Sequence, residues 1–585
     1  MHDDMAKRLK QRPQTEHSWM GTDLSPLLQR IYQARGISCQ NQLSRSLKDL
    51  LPVNTLLGIE QAAMILADQV MTQKRLLIIG DFDADGATST AVAVRSLRAL
   101  GAKFVDYLVP NRFEYGYGLT PEIVAVAATR QPDVIITVDN GIASIDGVAA
   151  AKALGIKVVI TDHHLPGTQL PDADAMVNPN QPHDTFLSKH LAGVGVIFYV
   201  MLALRAQLRQ CGWFNEARKE PNLAEYLDLV ALGTVADVVI LDDNNRILVH
   251  QGLQRIRANE CCAGIKAIIE IAGRQCTTLV ASDLGFLIGP RLNAAGRLDD
   301  MSLGIECLLS DDPQLARDMA KELDVLNQER KQIEQDMQQQ ALSALSWFEG
   351  HFDVDALPFG LSLFHEDWHQ GVMGIVAARI KEKTARPVIC FSRVNETELK
   401  GSARSITGLH IRDVLETIAT RHPGMILKFG GHAMAAGLTI DSTQWEAFTA
   451  AFDTVVREHI THDDLQETIW YDDVLTAHEL SLETAHLLRQ AGPWGQGFPE
   501  PIFMGRFRVV EQRLLAGKHL RFTLETQGKT TQAIQFNSDP EQAASAMKWI
   551  DIAYRLDLNY FRDNVTVQLQ IVHISHPMDI VASAT

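Results

Sequence analysis

The segment with the strongest chemical signal is residues 80–86, with the sequence GDFDADG, in which three aspartates stand at alternate positions. This spacing is similar to the start of an EF-hand calcium loop. The similarity ends at the twelfth loop position, which is Val92, where a calcium loop needs a bidentate glutamate. In addition, a strand-like run precedes this segment, whereas a helix precedes an EF-hand loop. The pattern therefore argues against a calcium loop.

Further residues of the same chemistry follow other apolar segments. The segments and the residues that follow them are Leu76–Ile79 with Asp81, Asp83 and Asp85, Val134–Val138 with Asp139, Lys157–Thr161 with Asp162, His163 and His164, and Leu229–Ala236 with Asp237. A single aspartate in such a position is commonly a helix cap. Capping does not explain the same chemistry at four segments, which we interpret as four strand ends. Since ligands bind at the carboxyl ends of strands in open parallel sheets, we expect one crevice lined by these residues.

Electrostatics indicates what such a crevice holds. Two carboxylates about 4 Å apart repel each other by about 4 kcal/mol at an effective dielectric near 20. Several converging aspartates therefore need cations in order to stay ionised. Oxygen ligands with an imidazole suit Mg²⁺ or Mn²⁺, and the nitrogen favours Mn²⁺. Because two such ions about 3.5–4 Å apart clamp a phosphoryl group and activate water, the pattern predicts phosphoester hydrolysis.

The elements that must position these residues alternate between short strands and helices. The predicted strands are Leu76–Ile79, Phe104–Val109, Val134–Val138 and Lys157–Thr161, and the predicted helices are Ala87–Leu100, Pro121–Thr129 and Ile142–Leu154. This alternation indicates βαβ units and a parallel sheet, which is an α/β fold.

The remainder of the chain divides into an arm, a long helix and two further domains. Asp312 and Pro313 begin a helix with one apolar stripe on a polar surface, which favours a connector between domains, although packing on a single domain explains the stripe equally well. We expect a helical N-terminal arm at residues 1–48, an α/β domain at 49–311 and the connector at 312–347. A smaller α/β domain is expected at 348–460 and a β-rich domain of OB type at 461–585.

Composition excludes several classes of protein. With 46% hydrophobic and 21% charged residues, the chain can bury ordinary globular cores. The net charge of −17 argues against sequence-blind coating of nucleic acid, but it permits a narrow positive channel. The seven cysteines contain no C-x-x-C pair, which is typical of a reducing compartment. Since neither a signal peptide nor an apolar run of about 18 residues is visible, we expect a cytoplasmic protein that does not enter membranes.

Additional motifs make the pattern specific. The triplet at 162–164 resembles the DHH phosphoesterase superfamily, together with GDFDADG and TVDNG. Within that superfamily, the chain resembles the bacterial RecJ family over about residues 50–575. The motifs that carry this resemblance are PNRFEYGYGL (110–119), ALGTVADVVIL (231–241), RLNAAGRL (291–298), WHQGVMGIVAARI (368–380), KGSARSI (400–406), GGHAMAAG (430–437) and PWGQGFPEP (493–501).

This resemblance implies a fold and an activity. It implies a DHH lobe that binds Mn²⁺ or Mg²⁺, a DHH-associated lobe joined to it by the long helix, and an OB-type domain. It also implies 5′→3′ degradation of single-stranded DNA to 5′-mononucleotides in recombination and repair. A groove between the lobes and the OB-type domain would admit one strand. A single-strand DNA-binding protein and a repair helicase are the implied partners of a monomer.

The resemblance also implies roles for the acidic and histidine residues. The metal ligands by this match are Asp83, Asp85, Asp139, His163 and Asp237, and Asp139 is the candidate for a bridging ligand. Asp81 and Asp162 are expected to orient ligands through hydrogen bonds. We expect His164 to contact the scissile phosphate.

A terminal 5′ phosphate needs fixed positive charge and hydrogen-bond donors. Arg112, Arg297 and Ser402 are the candidates for this end pocket, although a structural ion pair with Asp299 or Asp300 also explains Arg297. Additional candidates for contacts with DNA are Arg379, Arg404, His432 and Tyr115. Tyr115 either stacks a base or anchors its loop, and the glycines before His432 either admit a phosphate at a helix start or allow close helix packing. PWGQGFPEP is interpreted as a rigid structural turn.

Three alternatives remain at this point. The first is a phosphodiesterase for short oligonucleotides or cyclic dinucleotides, whose chains are usually shorter. The second is a non-catalytic replication scaffold, which would lack the acidic ligands. The third is an inorganic pyrophosphatase, which needs no third domain. Length and the complete acidic set favour the exonuclease.

Overall fold

The computed structural model describes residues 7–13, 24–110, 118–349, 358–538, 548–561 and 564–575. It divides into two compact units. The larger unit comprises Pro13–Asn327 and Glu483–Pro501, and the smaller unit comprises Met1–Arg12, Gln328–Leu482 and Ile502–Thr585. The chain therefore passes four times from one unit to the other.

The helices lie in both units. In chain order they are α1 (Pro26–Gln33), α2 (Ile59–Met71), α3 (Ala84–Ala99), α4 (Pro121–Ala128), α5 (Ile145–Ala153), α6 (Gly193–Gln210), α7 (Leu227–Ala236), α8 (Asp243–Arg257), α9 (Ala263–Ile271), α10 (Ala281–Asp283), α11 (Gly289–Leu298), α12 (Ser302–Leu309), α13 (Pro313–Glu349), α14 (Met373–Thr384), α15 (Ile411–Arg421), α16 (Trp445–His459) and α17 (Leu482–Ala491). A π-helical turn, Leu284–Ile288, joins α10 to α11.

The strands of the described residues form four sheets. In chain order they are β1 (Arg8–Gln11), β2 (Arg75–Ile79), β3 (Phe104–Leu108), β4 (Val134–Val138), β5 (Lys157–Thr161), β6 (Ala175–Val177), β7 (Leu361–Phe364), β8 (Val388–Arg393), β9 (Glu398–Arg404), β10 (Ile426–Gly431), β11 (Ala435–Asp441), β12 (Thr468–Tyr471), β13 (Asp473–Val474), β14 (Phe503–Leu515), β15 (His519–Thr526), β16 (Lys529–Gln535), β17 (Trp549–Phe561) and β18 (Asn564–Ser575).

The larger unit is built on a parallel sheet with the strand order β3-β2-β4-β5-β6. Its central strand, β4, is buried at all five positions, as is typical of strands that are covered by helices on both faces. Leu77, Ile135 and Val158 from three neighbouring strands share one core with Ile123 of α4 and Val148 of α5. The parallel α/β fold predicted from the sequence is confirmed.

One element of that prediction was wrong. Asp237 follows helix α7, not a strand. The first eight residues of α7 are all buried, and a helix that is apolar on every side lacks the 3.6-residue periodicity that would distinguish it from a buried strand.

The smaller unit contains a mixed sheet and a barrel. The sheet has the order β10-β11-β9-β8-β7, and its core includes Phe391, Leu415, Phe448 and Phe452. In the barrel, β14 pairs with both β15 and β17, so the ring β14-β15-β16-β18-β17 closes. This closed ring confirms the predicted OB-type domain.

Two local predictions in the smaller unit were wrong. The motif GGHAMAAG forms the β10–β11 hairpin rather than the start of a helix. Strand β11 of this hairpin pairs with β9, and its Ala435, Ala436 and Gly437 lie opposite Arg404, Ala403 and Ser402. Residues Arg8–Gln11 of the N-terminal arm form a strand that pairs in parallel with β12, where a helix was expected.

Among the described residues, no single helix is both long and apolar enough to cross a bilayer. The segments Leu47–Thr55 and Ile59–Met71 meet the criteria of length and composition only as a pair, with a 90° bend between them.

Candidate metal centre and phosphate site

The loop between β2 and α3 carries the first three aspartates. Asp83 caps α3, because its Oδ1 accepts a hydrogen bond of 3.0 Å from the Gly86 amide. A Cβ atom on Gly86 would lie 2.5 Å from the carbonyl oxygen of Asp81, so the tight turn requires glycine here. The result is a short acidic loop at the carboxyl end of β2.

Asp85 is buried and is held by the first turn of α6. Its carboxylate accepts hydrogen bonds from the amides of Gly193, at 2.7 Å, and Val194, at 2.9 Å. Burial and the neighbouring Asp83 charge raise the pKa of Asp85 to about 7, although the two amides act in the opposite direction. The positive end of the α6 dipole therefore faces the acidic cluster.

Asp139 directly follows β4 and has a left-handed backbone, with φ of 61°. A Cβ atom on Gly193 would lie 2.6 Å from Asp139 Oδ1, so α6 also packs closely against this carboxylate. Burial, followed by the charges of the other aspartates, raises the pKa of Asp139. The side chain of Asn140 donates hydrogen bonds to the carbonyls of Ile79 and Val138 and thereby joins the ends of β2 and β4.

The histidine pair follows β5. His163 Nε2 lies 3.1 Å from Asp139 Oδ1 and 3.6 Å from Asp237 Oδ2. The side chain of Asp162 is buried and accepts hydrogen bonds from the His163 amide, at 2.7 Å, and from the Ile142 amide, at 2.9 Å. These contacts fix the loop that presents both imidazoles.

Asp162 also contacts the ring of His164, whose Nδ1 lies 2.8 Å from Asp162 Oδ1. Burial raises the pKa of Asp162, but this hydrogen bond and the histidine charges outweigh burial and hold the pKa low. Conversely, burial lowers the pKa of His164, whereas the bond to Asp162 and nearby aspartates raise it to about 9. Asp162 therefore orients His164 rather than His163 through a ring hydrogen bond.

Sequence reasoning missed three residues that position this site. Asn178 donates to the carbonyl of His164 at 2.9 Å, and Asn180 donates to the carbonyl of His163 at 2.6 Å. Asn293 accepts a hydrogen bond from the Ala84 amide at 2.8 Å. Asn178 directly follows β6 and Asn180 lies two residues further on. Because β6 has only three residues and was not among the predicted strands, the strand-end argument could not be applied to them.

The structure brings seven of the predicted residues into three overlapping groups. Within each group, potential ligand atoms lie within 4.8 Å of one another. The first group is Asp81 with Asp83 and Asp139, the second is Asp85 with His163 and Asp237, and the third is Asp139 with His163 and His164. Asp139 and His163 each belong to two groups. Carboxylate oxygens with imidazole nitrogens fit Mn²⁺ or Mg²⁺. Burial and mutual repulsion raise the pKa values of Asp85, Asp139 and Asp237, which is the electrostatic demand that bound cations would relieve.

A second polar site lies in the smaller unit, on strand β9. A Cβ atom on Gly374, in the first turn of α14, would lie 2.6 Å from Arg404 Nη2 and 2.9 Å from Ser402 Oγ. Among the described residues, Arg404 forms no ion pair with a carboxylate, and its Nη1 donates to the Ala403 carbonyl. A guanidinium, a hydroxyl and a helix N-terminus thus converge, which is the composition of an anion site.

The other predicted DNA contacts have different environments. Arg379 forms ion pairs with Glu334, at 3.0 Å, and Glu382, at 3.1 Å, so its charge is already balanced. His432 lies in the β10–β11 turn, where its amide donates to the Ala435 carbonyl. Arg297 follows Gly296, at which a Cβ atom would lie 1.8 Å from the Phe82 carbonyl, so α11 packs directly on the acidic loop. The remaining two candidates, Arg112 and Tyr115, lie outside the described residues.

Comparison with known families assigns a class to this architecture. Three family models match the chain, and they describe the DHH family N-terminal domain at residues 75–234, the DHHA1 domain at residues 357–458 and the RecJ OB domain at residues 471–573. The parallel sheet and the candidate metal cluster lie within the first match, except for Asp237, which follows it by three residues. The mixed sheet lies within the second match, and the barrel strands lie within the third up to residue 573. The fold and the candidate site thus define a DHH protein with a DHHA1 domain and an OB domain.

Relatives narrow the class further. The single-stranded-DNA-specific exonuclease RecJ of Dickeya dadantii is 52% identical over 98% of this chain and 99% of its own length. RecJ of Escherichia coli is 52% identical over 97% of this chain and 99% of its own length. The structure of RecJ from Thermus thermophilus in complex with Mn²⁺ has a TM-score of 0.81 and 29% identity, covering 99% of this chain and 81% of that one. The present chain belongs to the RecJ family.

Proposed function

We propose that this protein is a metal-dependent exonuclease that degrades single-stranded DNA in the 5′→3′ direction to 5′-mononucleotides, and that it acts in DNA recombination and repair. The overlapping cluster of carboxylates and imidazoles around Asp139 and His163 is the observation that carries this proposal. Membership of the RecJ family supports the substrate. The barrel of the smaller unit is of the OB type, a fold that binds single strands.

The chain's own residues would perform the chemistry as follows. Asp83, Asp85, Asp139, His163 and Asp237 would hold the Mn²⁺ or Mg²⁺ ions, and Asp139 is the candidate for a shared ligand because it belongs to two of the three groups. When bound, these ions polarise the phosphate and lower the pKa of an attacking water. The amides at the start of α6 fix Asp85, and Asp162 fixes the ring of His164 so that it contacts the scissile phosphate. Asn178 and Asn180 prevent the histidine loop from shifting.

End recognition would use fixed positive charge. We propose Ser402, Arg404 and the first turn of α14 as a phosphate site, since their polar atoms converge at Gly374. Arg112 and Arg297 remain proposed contacts to the terminal phosphate, and Tyr115 and His432 remain proposed contacts to the strand. Arg379 is the weakest candidate, because Glu334 and Glu382 already balance its charge.

The cellular setting is part of the same proposal. We propose a cytoplasmic monomer that works with a single-strand DNA-binding protein and a repair helicase and that does not enter membranes. The seven cysteines are free thiols, which supports the proposed reducing compartment. We also propose the domain division at residues 48, 311, 347 and 460 that the sequence pattern predicts.

Digestion of a 5′-phosphorylated single-stranded oligonucleotide and of its duplex, with Mn²⁺, Mg²⁺ or EDTA, tests the proposal. The expected result is metal-dependent release of mononucleotides from the 5′ end of the single strand only, and its loss in Asp139→Ala. Turnover of dinucleotides without cleavage of longer DNA would instead indicate an oligonucleotide phosphodiesterase. Turnover of neither substrate would indicate a scaffold.

A further inference from the structure

The motif PWGQGFPEP contains a tight β-hairpin. The Gly495 amide donates to the Phe498 carbonyl at 2.9 Å, and the Phe498 amide donates back to Gly495 at 3.1 Å. Gln496 and Gly497 therefore form a two-residue tip, in which Gly497 has a left-handed φ of 71° that a side chain would strain. The sequence pattern predicts only a rigid turn here, whereas the structure places an exposed amide side chain at its tip.

The base of this hairpin is fixed by aromatic contacts within the larger unit. The rings of Trp494 and Phe498 stack with centroids 5.1 Å apart, and Tyr32 of α1 stacks on Phe498 at 6.1 Å. The guanidinium of Arg246 covers Phe498 at 4.3 Å, and that of Arg35 covers Trp494 at 5.2 Å. Because stacking and cation–π contacts add to area burial, the tip is a rigid projection.

The tip lies on the segment that follows the ligand Asp237. The Leu241 amide donates to the Gln496 carbonyl at 2.8 Å. A Cβ atom on Gly497 would lie 2.6 Å from Ile240 Cγ2, and one on Gly495 would lie 2.6 Å from Leu241 Cδ1. Because Gly495 and Gly497 have no side chains, the backbone of the hairpin lies close to Ile240 and Leu241, which places Gln496 beside the segment that carries Asp237.

Gln496 lines a cavity of about 360 Å³ that opens beside the metal centre, and His163 forms part of its wall. Asn180 also lines this cavity. The apolar part of the wall is exposed, with 61% of Leu165, 64% of Val238 and 39% of Ile240 accessible to solvent. Exposed apolar side chains with a few polar groups, in a cavity of this size, are typical of a small-molecule subsite.

The backbone conformation of Val238 supports a functional role for this wall of the cavity. Val238 directly follows α7 and has a φ of 63°, a conformation that is a genuine outlier for a β-branched residue. Glycine is the usual residue after a helix in this conformation. Strain that a glycine would relieve is retained at a residue whose side chain faces a cavity, and such strain is commonly found at functional sites.

We propose that this cavity binds the nucleoside moiety, base and deoxyribose, attached to the phosphate that is cleaved, and that Gln496 contacts the base edge. The inference rests on the proposed function, because the cleaved phosphate must lie at His163. An amide offers both donors and an acceptor, so Gln496 can bond the edge of any base without selecting a sequence. Leu165, Val238 and Ile240 form the apolar surface against which the base or the sugar packs.

The first test compares Gln496→Ala with the wild type on two phosphodiesters, a single-stranded oligonucleotide and bis(p-nitrophenyl) phosphate, which has no nucleoside. We expect KM for the oligonucleotide to rise about 3- to 10-fold through loss of a hydrogen bond, with hydrolysis of bis(p-nitrophenyl) phosphate unchanged. Gln210→Ala, at an exposed glutamine at the end of α6, is the matched control. An equal loss on both substrates, or no loss on DNA, would overturn the proposal.

Abasic nucleotides identify the contact directly. When a single abasic residue is moved along the oligonucleotide, the difference between the wild type and Gln496→Ala should disappear at one position only. A difference that persists at every position would show that Gln496 acts through the fold. If the wild type itself degrades no DNA, the proposed function fails, and that outcome is distinct from an active wild type whose Gln496→Ala variant is equally active.

A second variant separates a structural from a substrate-binding role. Val238→Gly removes one of the three apolar side chains of the wall while relieving the left-handed strain, so we expect a higher Tm together with a higher KM for DNA. A purely structural role for the strained residue would instead give a higher Tm with an unchanged or lower KM. That result would contradict the proposal.

Discussion

The candidate metal centre of the larger unit and the proposed phosphate site of the smaller unit differ first in the sign of their net charge. The three groups of the metal centre together contain five carboxylates and two imidazoles. In the phosphate site, by contrast, Arg404 forms no ion pair with a carboxylate among the described residues. Each imbalance identifies the ligand that would neutralise it, a divalent cation in one case and a phosphate in the other.

The two sites also differ in how the chain builds them. The proposed metal ligands mostly lie in loops that follow strands of a parallel sheet, so the topology collects them at one edge. Ser402 and Arg404 lie within a single strand, at alternate positions that share a face. The metal centre therefore depends on several segments that are distant in sequence, whereas the phosphate site depends on one strand and one helix turn. Substitutions should affect the two sites to different extents.

Removing a shared metal ligand should have the largest effect. We expect Asp139→Asn to lower the rate of nucleotide release by about 10³-fold or more, as does loss of a central catalytic group in other enzymes. Acid-soluble nucleotide release at saturating Mn²⁺ measures it. Asp172→Asn changes an exposed aspartate paired with Lys152 at the surface and should leave the rate unchanged. Retention of more than about a tenth of the activity by Asp139→Asn would contradict the assignment.

Metal removal should lower the stability of the folded protein, because the clustered carboxylates then repel one another without a cation. Mn²⁺ at about 100 times its Kd should stabilise the folded protein by about 2.7 kcal/mol, and EDTA should remove that gain. Thermal unfolding with and without Mn²⁺ measures the shift in Tm. The shift should be much smaller in Asp139→Asn. An equal shift in both proteins would place the bound metal elsewhere.

The phosphate site should respond to the 5′ end of the substrate rather than to metal. We expect Arg404→Ala to lower kcat/KM for a 5′-phosphorylated strand about 10- to 100-fold, since hydrogen bonds to charged groups are the stronger ones. The loss should be smaller for a strand with a 5′ hydroxyl. Arg379→Ala is the matched control in the same unit, and it should have little effect, because Glu334 and Glu382 already bond that guanidinium. Similar losses on both 5′ ends would argue against end recognition by Arg404.

The smallest effect should come from the glycine that touches this site. Gly374→Ala would place a methyl group 2.6 Å from Arg404 Nη2, so the guanidinium must shift. We expect KM for the 5′-phosphorylated strand to rise about 3- to 10-fold with an unchanged metal dependence. An unchanged KM in Gly374→Ala would mean that the phosphate binds elsewhere.

The sequence predicted the parallel sheet well because its central strands are buried on both faces and appear as uninterrupted apolar runs, such as Val134–Val138. The proximity of Asp83, Asp139 and His163 followed from the rule that parallel strands end at one edge. The assignment of Asp237 to a strand failed because α7 is buried on nearly all sides and has no amphipathic period.

Other features could not be predicted from local patterns. Asn178 and Asn180 act through hydrogen bonds to backbone carbonyls of the histidine loop, and such bonds leave no fixed spacing in a sequence. Gln496 lines the cavity beside His163 only because Glu483–Pro501 joins the larger unit, more than 150 residues after Asn327. A contact of that separation in sequence depends on the whole fold.

The late return of Glu483–Pro501 to the larger unit has a consequence for biosynthesis. A ribosome that has completed Asn327 must still translate residues 328–482 before this segment is synthesised, which takes about 8 to 31 s at 5–20 residues per second. During that interval Tyr32, Arg35 and Arg246 lack their aromatic partners Trp494 and Phe498. The nascent metal-binding unit is thus expected to be a substrate for chaperones until translation passes Pro501, and protease sensitivity of chains arrested before and after that residue would reveal the difference.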